Sequence, residues 1–96
     1  MRIDKFLKMA RLVKRRTAAQ EMIEVGAVRI DGRVCRSSAE VTEGKTLEIA
    51  YMARVLKVKV LCADEQLLKR PQTVPCEVLE ERRVDPDEKP WQVADE

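Results

Sequence analysis

Asp31-Gly32 fixes the middle of this chain. The pair stands between Ala27-Val28-Arg29-Ile30 and Arg33-Val34-Cys35-Arg36, two short segments that read as extended. A two-residue hairpin loop needs positive φ at both central positions, and Asp-Gly is among the few pairs that accept it. What precedes the hairpin has helical rather than strand spacing. Ile3, Phe6, Leu7 and Ala10 make one apolar helical face. Asp4 reads as the N-cap of that helix, or as an internal partner for a nearby arginine. Val13-Lys14-Arg15-Arg16 reads as its exit. Thr17-Ala18-Ala19-Gln20 has the capping-box pattern and opens a second helix, expected over about 18–25, with Ala19, Met22 and Ile23 inward. Gly26 is placed to stop it.

Beyond the hairpin, Thr42-Glu43-Gly44-Lys45 reads as a turn between strands. Thr46 to Tyr51 alternates with Leu47, Ile49 and Tyr51 on one side. Arg54 to Leu61 alternates with Leu56, Val58 and Val60 against Lys57 and Lys59. Those two lysines suit a solvated strand face, which commonly carries lysine. After Ala63 the composition shifts: all four prolines and most of the acid fall there. Residues 76–83 fit a short helix or a strand, and residues from about 85 are expected to be disordered. The pattern is an α+β fold, two short helices on a small twisted sheet, with residues 1–63 as the domain and 64–96 as an acidic, Pro-containing extension.

Charge is distributed unevenly along this framework. Arg2, Lys5, Lys8, Arg11, Lys14, Arg15 and Arg16 all precede residue 17, opposed there only by Asp4, although the whole chain is only +2. Residues 1–36 hold ten basic and four acidic side chains, whereas residues 61–96 hold five basic and ten acidic. A local cationic face on short helices suits a polyanion, first of all RNA. Lys14, Arg15 and Arg16 lead into the second helix, whose first N–H groups favour an anion. Arg29 and Arg33 flank the hairpin. Only Phe6, Tyr51 and Trp91 are aromatic, too few for a base-stacking platform, so phosphates and shape are expected to dominate.

Catalysis is disfavoured. There is no histidine, and Cys35, Cys62 and Cys76 are widely spaced, without the pairing a zinc site uses. No Gly-rich phosphate loop or nucleophile–base pair is recognisable, so neither catalytic residues nor a metal or cofactor are expected. The odd cysteine count and the charged, leaderless start fit a reducing cytoplasm, and no apolar run is long enough for a membrane span.

Arg-Ile-Asp-Lys-Phe-Leu at 2–7, Lys-Arg-Arg-Thr-Ala-Ala-Gln-Glu-Met-Ile-Glu at 14–24 and Gly-Ala-Val-Arg-Ile-Asp-Gly at 26–32 together resemble the RNA-binding domain first described in small-subunit ribosomal protein S-four. The resemblance covers residues 1 to about 60. It is strongest to the short stand-alone branch that includes RqcP and the fifteen-kilodalton heat-shock ribosome-recycling protein. The short acidic end is more similar to RqcP, since the heat-shock branch has a long basic extension.

This resemblance implies an S-four-like (alpha-L) fold. It also implies binding to the large ribosomal subunit that still carries peptidyl-tRNA after a stalled ribosome has split, with a nascent-chain tailing factor on the same particle. Carried over by motif, Arg2, Lys5, Arg11, Lys14 and Arg16 are the expected contacts to rRNA and tRNA. Arg15 extends the cluster, Arg29 and Arg33 are weaker members, and Lys8 is the basic residue closest to a plain solvated position. A monomer is expected. The competing readings are a general structured-RNA or DNA-binding module, the latter through the two adjacent helices, and a non-catalytic accessory to RNA modification.

Overall fold

The computed structural model describes residues 1–84. The expected disorder from residue 85 and any role for Trp91 lie outside the described residues. Helix α1 spans Ile3–Met9 and α2 spans Arg16–Glu24. Strands follow as β1 (Val28–Ile30), β2 (Arg33–Val34), β3 (Thr46–Ala50) and β4 (Arg54–Val60). A single helical turn, α3 (Glu65–Leu68), then leads into β5 (Cys76–Arg83). All neighbouring strands pair antiparallel in the order β2-β1-β3-β4-β5.

One apolar layer joins the helices to the sheet. Ile3, Phe6 and Leu7 from α1 and Ala19 and Ile23 from α2 are buried against Val28, Leu47, Ile49, Leu56, Val58 and Val60. The 3-1-3 spacing in α1 and the alternation in β3 and β4 therefore point at each other, which is what makes both elements stable at such short lengths.

The local turns follow their chemistry. Asp31 and Gly32 sit at φ 50° and 83° and close the β1–β2 hairpin in two residues. The Asp31 carboxylate also accepts the Thr46 N–H at 3.0 Å, which fixes the hairpin to the start of β3. Gly26, at φ 81°, ends α2: its N–H reaches the Ile23 carbonyl and that of Ala27 reaches Met22. This is the Schellman arrangement that glycine makes easy.

The same arrangement ends α1 at Met9, four residues before the expected exit at Val13, and without glycine. Arg11 takes φ 62°, its N–H bonds to the Lys8 carbonyl, and the Leu12 N–H bonds to Leu7. Residues 12–15 are therefore a turn rather than helix. Tyr51 pins this turn to the sheet, since its hydroxyl donates to the Leu12 carbonyl at 2.8 Å. Burial raises the phenol's pKa, outweighing the lowering by the Arg54 charge, so it stays a donor at neutral pH. Tyr51→Phe is expected to cost about 1 kcal/mol, the net worth of one hydrogen bond. Thermal melts check this, and the loss should come with faster amide exchange in residues 11–15.

The composition break after Ala63 is not a break in the sheet. β5 pairs along all of β4, with a bulge opposite Lys57 and Val58. The Asp64 carboxylate caps α3 by accepting the Gln66 and Leu67 N–H groups at 2.8 and 3.2 Å. Residues 76–83, which fitted either helix or strand, are strand because β4 offers them a partner along its whole length.

Candidate nucleic-acid interface

Asp4 organises the basic residues. It is neither exposed nor a cap: Arg2 occupies the N-cap position of α1, and the Asp4 side chain is 0% exposed. Its carboxylate accepts the Lys5 N–H at 2.7 Å, Gln20 Nε2 at 2.8 Å and Arg2 Nη2 at 3.2 Å. Arg16 brings Nη2 to 3.4 Å and Nε to 3.3 Å, the latter an ion contact rather than an aligned hydrogen bond. Burial pushes this carboxyl's pKa up. The hydrogen bonds from Gln20, Arg16 and the Lys5 amide, with the Arg16 charge, push it down further, and the net shift is below the usual carboxylate value. Asp4 is thus the internal arginine partner, and the N-cap reading is corrected.

The Thr17 capping box is corrected with it. Helix α2 starts two residues earlier, at Arg16, with Arg15 as N-cap and no side-chain cap. Gln20 does not turn back onto its own helix end, because the buried Asp4 carboxylate attracts its amide more strongly than an exposed backbone N–H would.

The basic residues therefore divide into two groups. Arg2 and Arg16 remain 48% and 41% exposed, but their guanidinium groups are turned to Asp4. Lys5 reaches Glu65 on α3 at 2.6 Å. That hydrogen bond, with the Lys5 charge, holds the Glu65 carboxyl below its usual pKa. These three cations share a concavity of about 520 Å³ with Glu40 and Glu65, so its rim carries both signs. Glu40 also holds the Met1 amino group.

Lys8, Arg11, Lys14 and Arg15 form the second group. They are exposed, and among the described residues their charged heads have no hydrogen-bond or ion-pair partner. Lys8, Arg11 and Lys14 line one open concavity of about 490 Å³ around the α1–α2 turn, with Met9 and Val13 as its floor. Lys8, expected to be plainly solvated, is part of this wall. Arg15 follows directly, beside the uncapped N–H groups that start α2.

Arg29 and Arg33 are placed elsewhere. Arg29 lies opposite Glu48, which lies opposite Lys57, which lies opposite Glu80. This alternating row occupies the sheet face away from the buried Leu47 and Ile49, and Lys59 faces Glu77 in the same way. Lys57 and Lys59 are thus balanced by acid from the neighbouring strand. Arg33 stands in the row of Ile30, Leu47 and Val58, on the helix side of the sheet, at the exposed β2 edge. The sequence reading also missed Lys69 and Arg70, which follow α3. Their only signal was adjacency, inside a segment whose net charge is negative.

Arg11 occupies a backbone conformation that costs a non-glycine residue about 1 kcal/mol. Arg11→Gly is expected to relieve that strain, raising stability by up to about 1 kcal/mol. The same change should weaken polyanion binding several-fold. Paired melting and binding measurements check this, and opposite signs in the two mark a side chain retained for contact.

The fold and this corner define the class of protein. The S4 domain family model matches residues 1–47, which include α1, α2 and the hairpin. A trimeric structure of Vibrio cholerae Heat Shock Protein 15 shares the fold, with a TM-score of 0.71 over 81% of this chain and 80% of that one, at 20% identity.

Curated relatives narrow the class. One from Streptococcus pneumoniae is 34% identical over 85 residues, covering 88% of this chain and 97% of its own length. One from Halalkalibacterium halodurans is 35% identical, covering 92% of this chain and all of its own length. One from Helicobacter pylori reaches 43% over 61 residues. Each is named RQC P-site tRNA stabilizing factor. This chain belongs to that family, the RqcP family.

Proposed function

We propose that this protein stabilises P-site tRNA in ribosome-associated quality control, as the names of its relatives say of them. The observation that carries the reading is the partition of charge. Four cations around the α1–α2 turn have their heads free among the described residues, while Arg2, Lys5 and Arg16 are engaged by Asp4 and Glu65. Free cations on an open, concave surface neutralise phosphates without first breaking internal pairs. With the core closed by aliphatic side chains and few aromatics, recognition rests on backbone charge and shape, as it does for structured RNA.

In this reading the α1–α2 corner lies on rRNA of the large subunit and on the peptidyl-tRNA that the subunit retains after stalling. Lys8, Arg11, Lys14 and Arg15 hold phosphates. Arg2 and Arg16 set the shape of the corner through Asp4 and turn their outer N–H groups to the RNA. Arg29 and Arg33 are peripheral. The protein acts as a cytoplasmic monomer and non-catalytically: it keeps the tRNA in place while a tailing factor extends the nascent chain or the subunit is recycled. No helix among the described residues is long and apolar enough to cross a membrane.

Competition separates this from the DNA reading. At fixed salt, unlabelled tRNA should displace labelled tRNA far better than duplex DNA of equal phosphate content. Equal displacement by both would sink the tRNA assignment.

A further inference from the structure

A second basic cleft lies beside the free corner. It holds about 230 Å³ between the end of α1 and the segment after α3, lined by Arg11, Lys69, Arg70, Thr73 and Pro75. That volume is several times the ~30 Å³ share of one water. It is bounded on its α1 side by Met9, Ala10 and Arg11, and it shares Met9 and Arg11 with the Lys8–Lys14 concavity. The two hollows are thus neighbours across a single cationic side chain.

The far wall is fixed in place rather than frayed. Asp64 caps α3, and Leu68 packs against the core. Arg70 is held in a turn by its own N–H on the Leu67 carbonyl and by its carbonyl receiving the Thr73 N–H, at 3.0 and 3.1 Å. Pro71 and Pro75 stiffen the same stretch. Among the described residues the Arg70 head has no partner. Lys69 has only a 3.9 Å approach to Glu65, whose other oxygen is already taken by Lys5. An exposed pair that long restrains little.

Arg11 therefore belongs to both hollows, and its backbone is held in the left-handed conformation. A glycine there would end α1 without strain and would leave the two hollows with no charge between them.

We propose that Arg11, Lys69 and Arg70 form a second phosphate-holding site, which receives the RNA backbone as it leaves the α1–α2 corner. The proposal rests on the tRNA-binding reading above and extends it beyond residues 1–47, the part matched by the family model. A neighbouring pair of anion sites on one rigid surface fits a chain of regularly spaced phosphates. The partner is accordingly an RNA strand rather than a free anion.

The test uses the full chain, fluorescently labelled tRNA and a salt series. Two variants are compared with wild type: Lys69→Ala/Arg70→Ala for the cleft, and Lys14→Ala/Arg15→Ala for the corner. The cleft variant should melt as wild type does. It should bind tRNA on the order of 10-fold more weakly, with the slope of log affinity against log salt reduced by roughly 1.5–2.

If the corner variant loses slope and the cleft variant does not, the cleft proposal is overturned and the tRNA reading stands. If neither variant changes tRNA binding, the tRNA reading fails and takes the cleft with it. If the cleft variant loses affinity for polyglutamate but keeps its affinity for tRNA, the cleft serves an acidic peptide and the proposal is again overturned.

Discussion

Asp4→Asn is expected to destabilise the fold by about 2–4 kcal/mol at neutral pH. The side chain keeps its volume and loses its charge. Arg2 and Arg16 then lose the carboxylate that holds them, and Gln20 loses an acceptor of full negative charge. In a domain of this size that shift moves the melting temperature by roughly 10 °C or more.

The pH dependence has a definite sign. The Asp4 carboxyl titrates below its unfolded value of ~3.9, so the folded state gains most when the group is ionised. The contribution is complete above the unfolded pKa and is lost as pH falls through the folded one. Wild type and Asp4→Asn should therefore differ most at neutral pH and converge in acid. A constant gap down to pH 2 would contradict a contribution from the ionised Asp4 carboxylate. Arg16→Ala should follow the same trend more weakly, because Arg2, Gln20 and the Lys5 amide still hold the carboxylate. By its place in the sequence Arg16 reads as a surface group whose removal leaves the fold near wild type; its contact with the buried Asp4 arises only from the packing of α1 on α2.

The second large effect concerns binding. Lys8→Ala/Lys14→Ala/Arg15→Ala is expected to lower tRNA affinity on the order of 100-fold and to reduce the salt slope by about 2–3. It should leave the melting temperature nearly unchanged, since these exposed cations, without partners among the described residues, contribute little to the fold. The contrast with Asp4→Asn is informative. One variant removes the support and the other removes the contacts, so the melting and binding losses should fall on different proteins. A triple variant that unfolds would mean that the corner is structural.

Local chemistry made much of the fold legible in the sequence. Asp31-Gly32 specifies its own turn, Gly26 its own helix stop, and Leu47, Ile49, Leu56, Val58 and Val60 specify their buried face by alternation. The end of α1 was not legible, because the left-handed position there is filled by arginine and carries no glycine signal. The role of Asp4 was only half legible. Its partners at Arg16 and Gln20 are brought near by the packing of α1 on α2, which no local pattern records.

The candidate site shows the same division. The density of basic residues before residue 17 was plain, but which of them are free was not. Lys5 is engaged by Glu65, sixty residues away in sequence. Arg29 and Lys57 are balanced by Glu48 and Glu80 only once the strands have registered. Lys69 and Arg70 were hidden for the converse reason: an acidic segment masks two cations that the fold carries to the end of α1.

Co-sedimentation with large ribosomal subunits tests the central claim most directly. Tagged wild type and the Lys8/Lys14/Arg15 triple-alanine variant are run on sucrose gradients from lysates in which ribosomes have been stalled, and the tRNA in each fraction is identified. Wild type should migrate with large subunits that carry peptidyl-tRNA, and the variant, equally folded, should stay at the top of the gradient. Equal migration of both proteins, or migration of wild type with small subunits alone, would contradict the assignment of the α1–α2 corner as the surface that holds the tRNA-bearing particle.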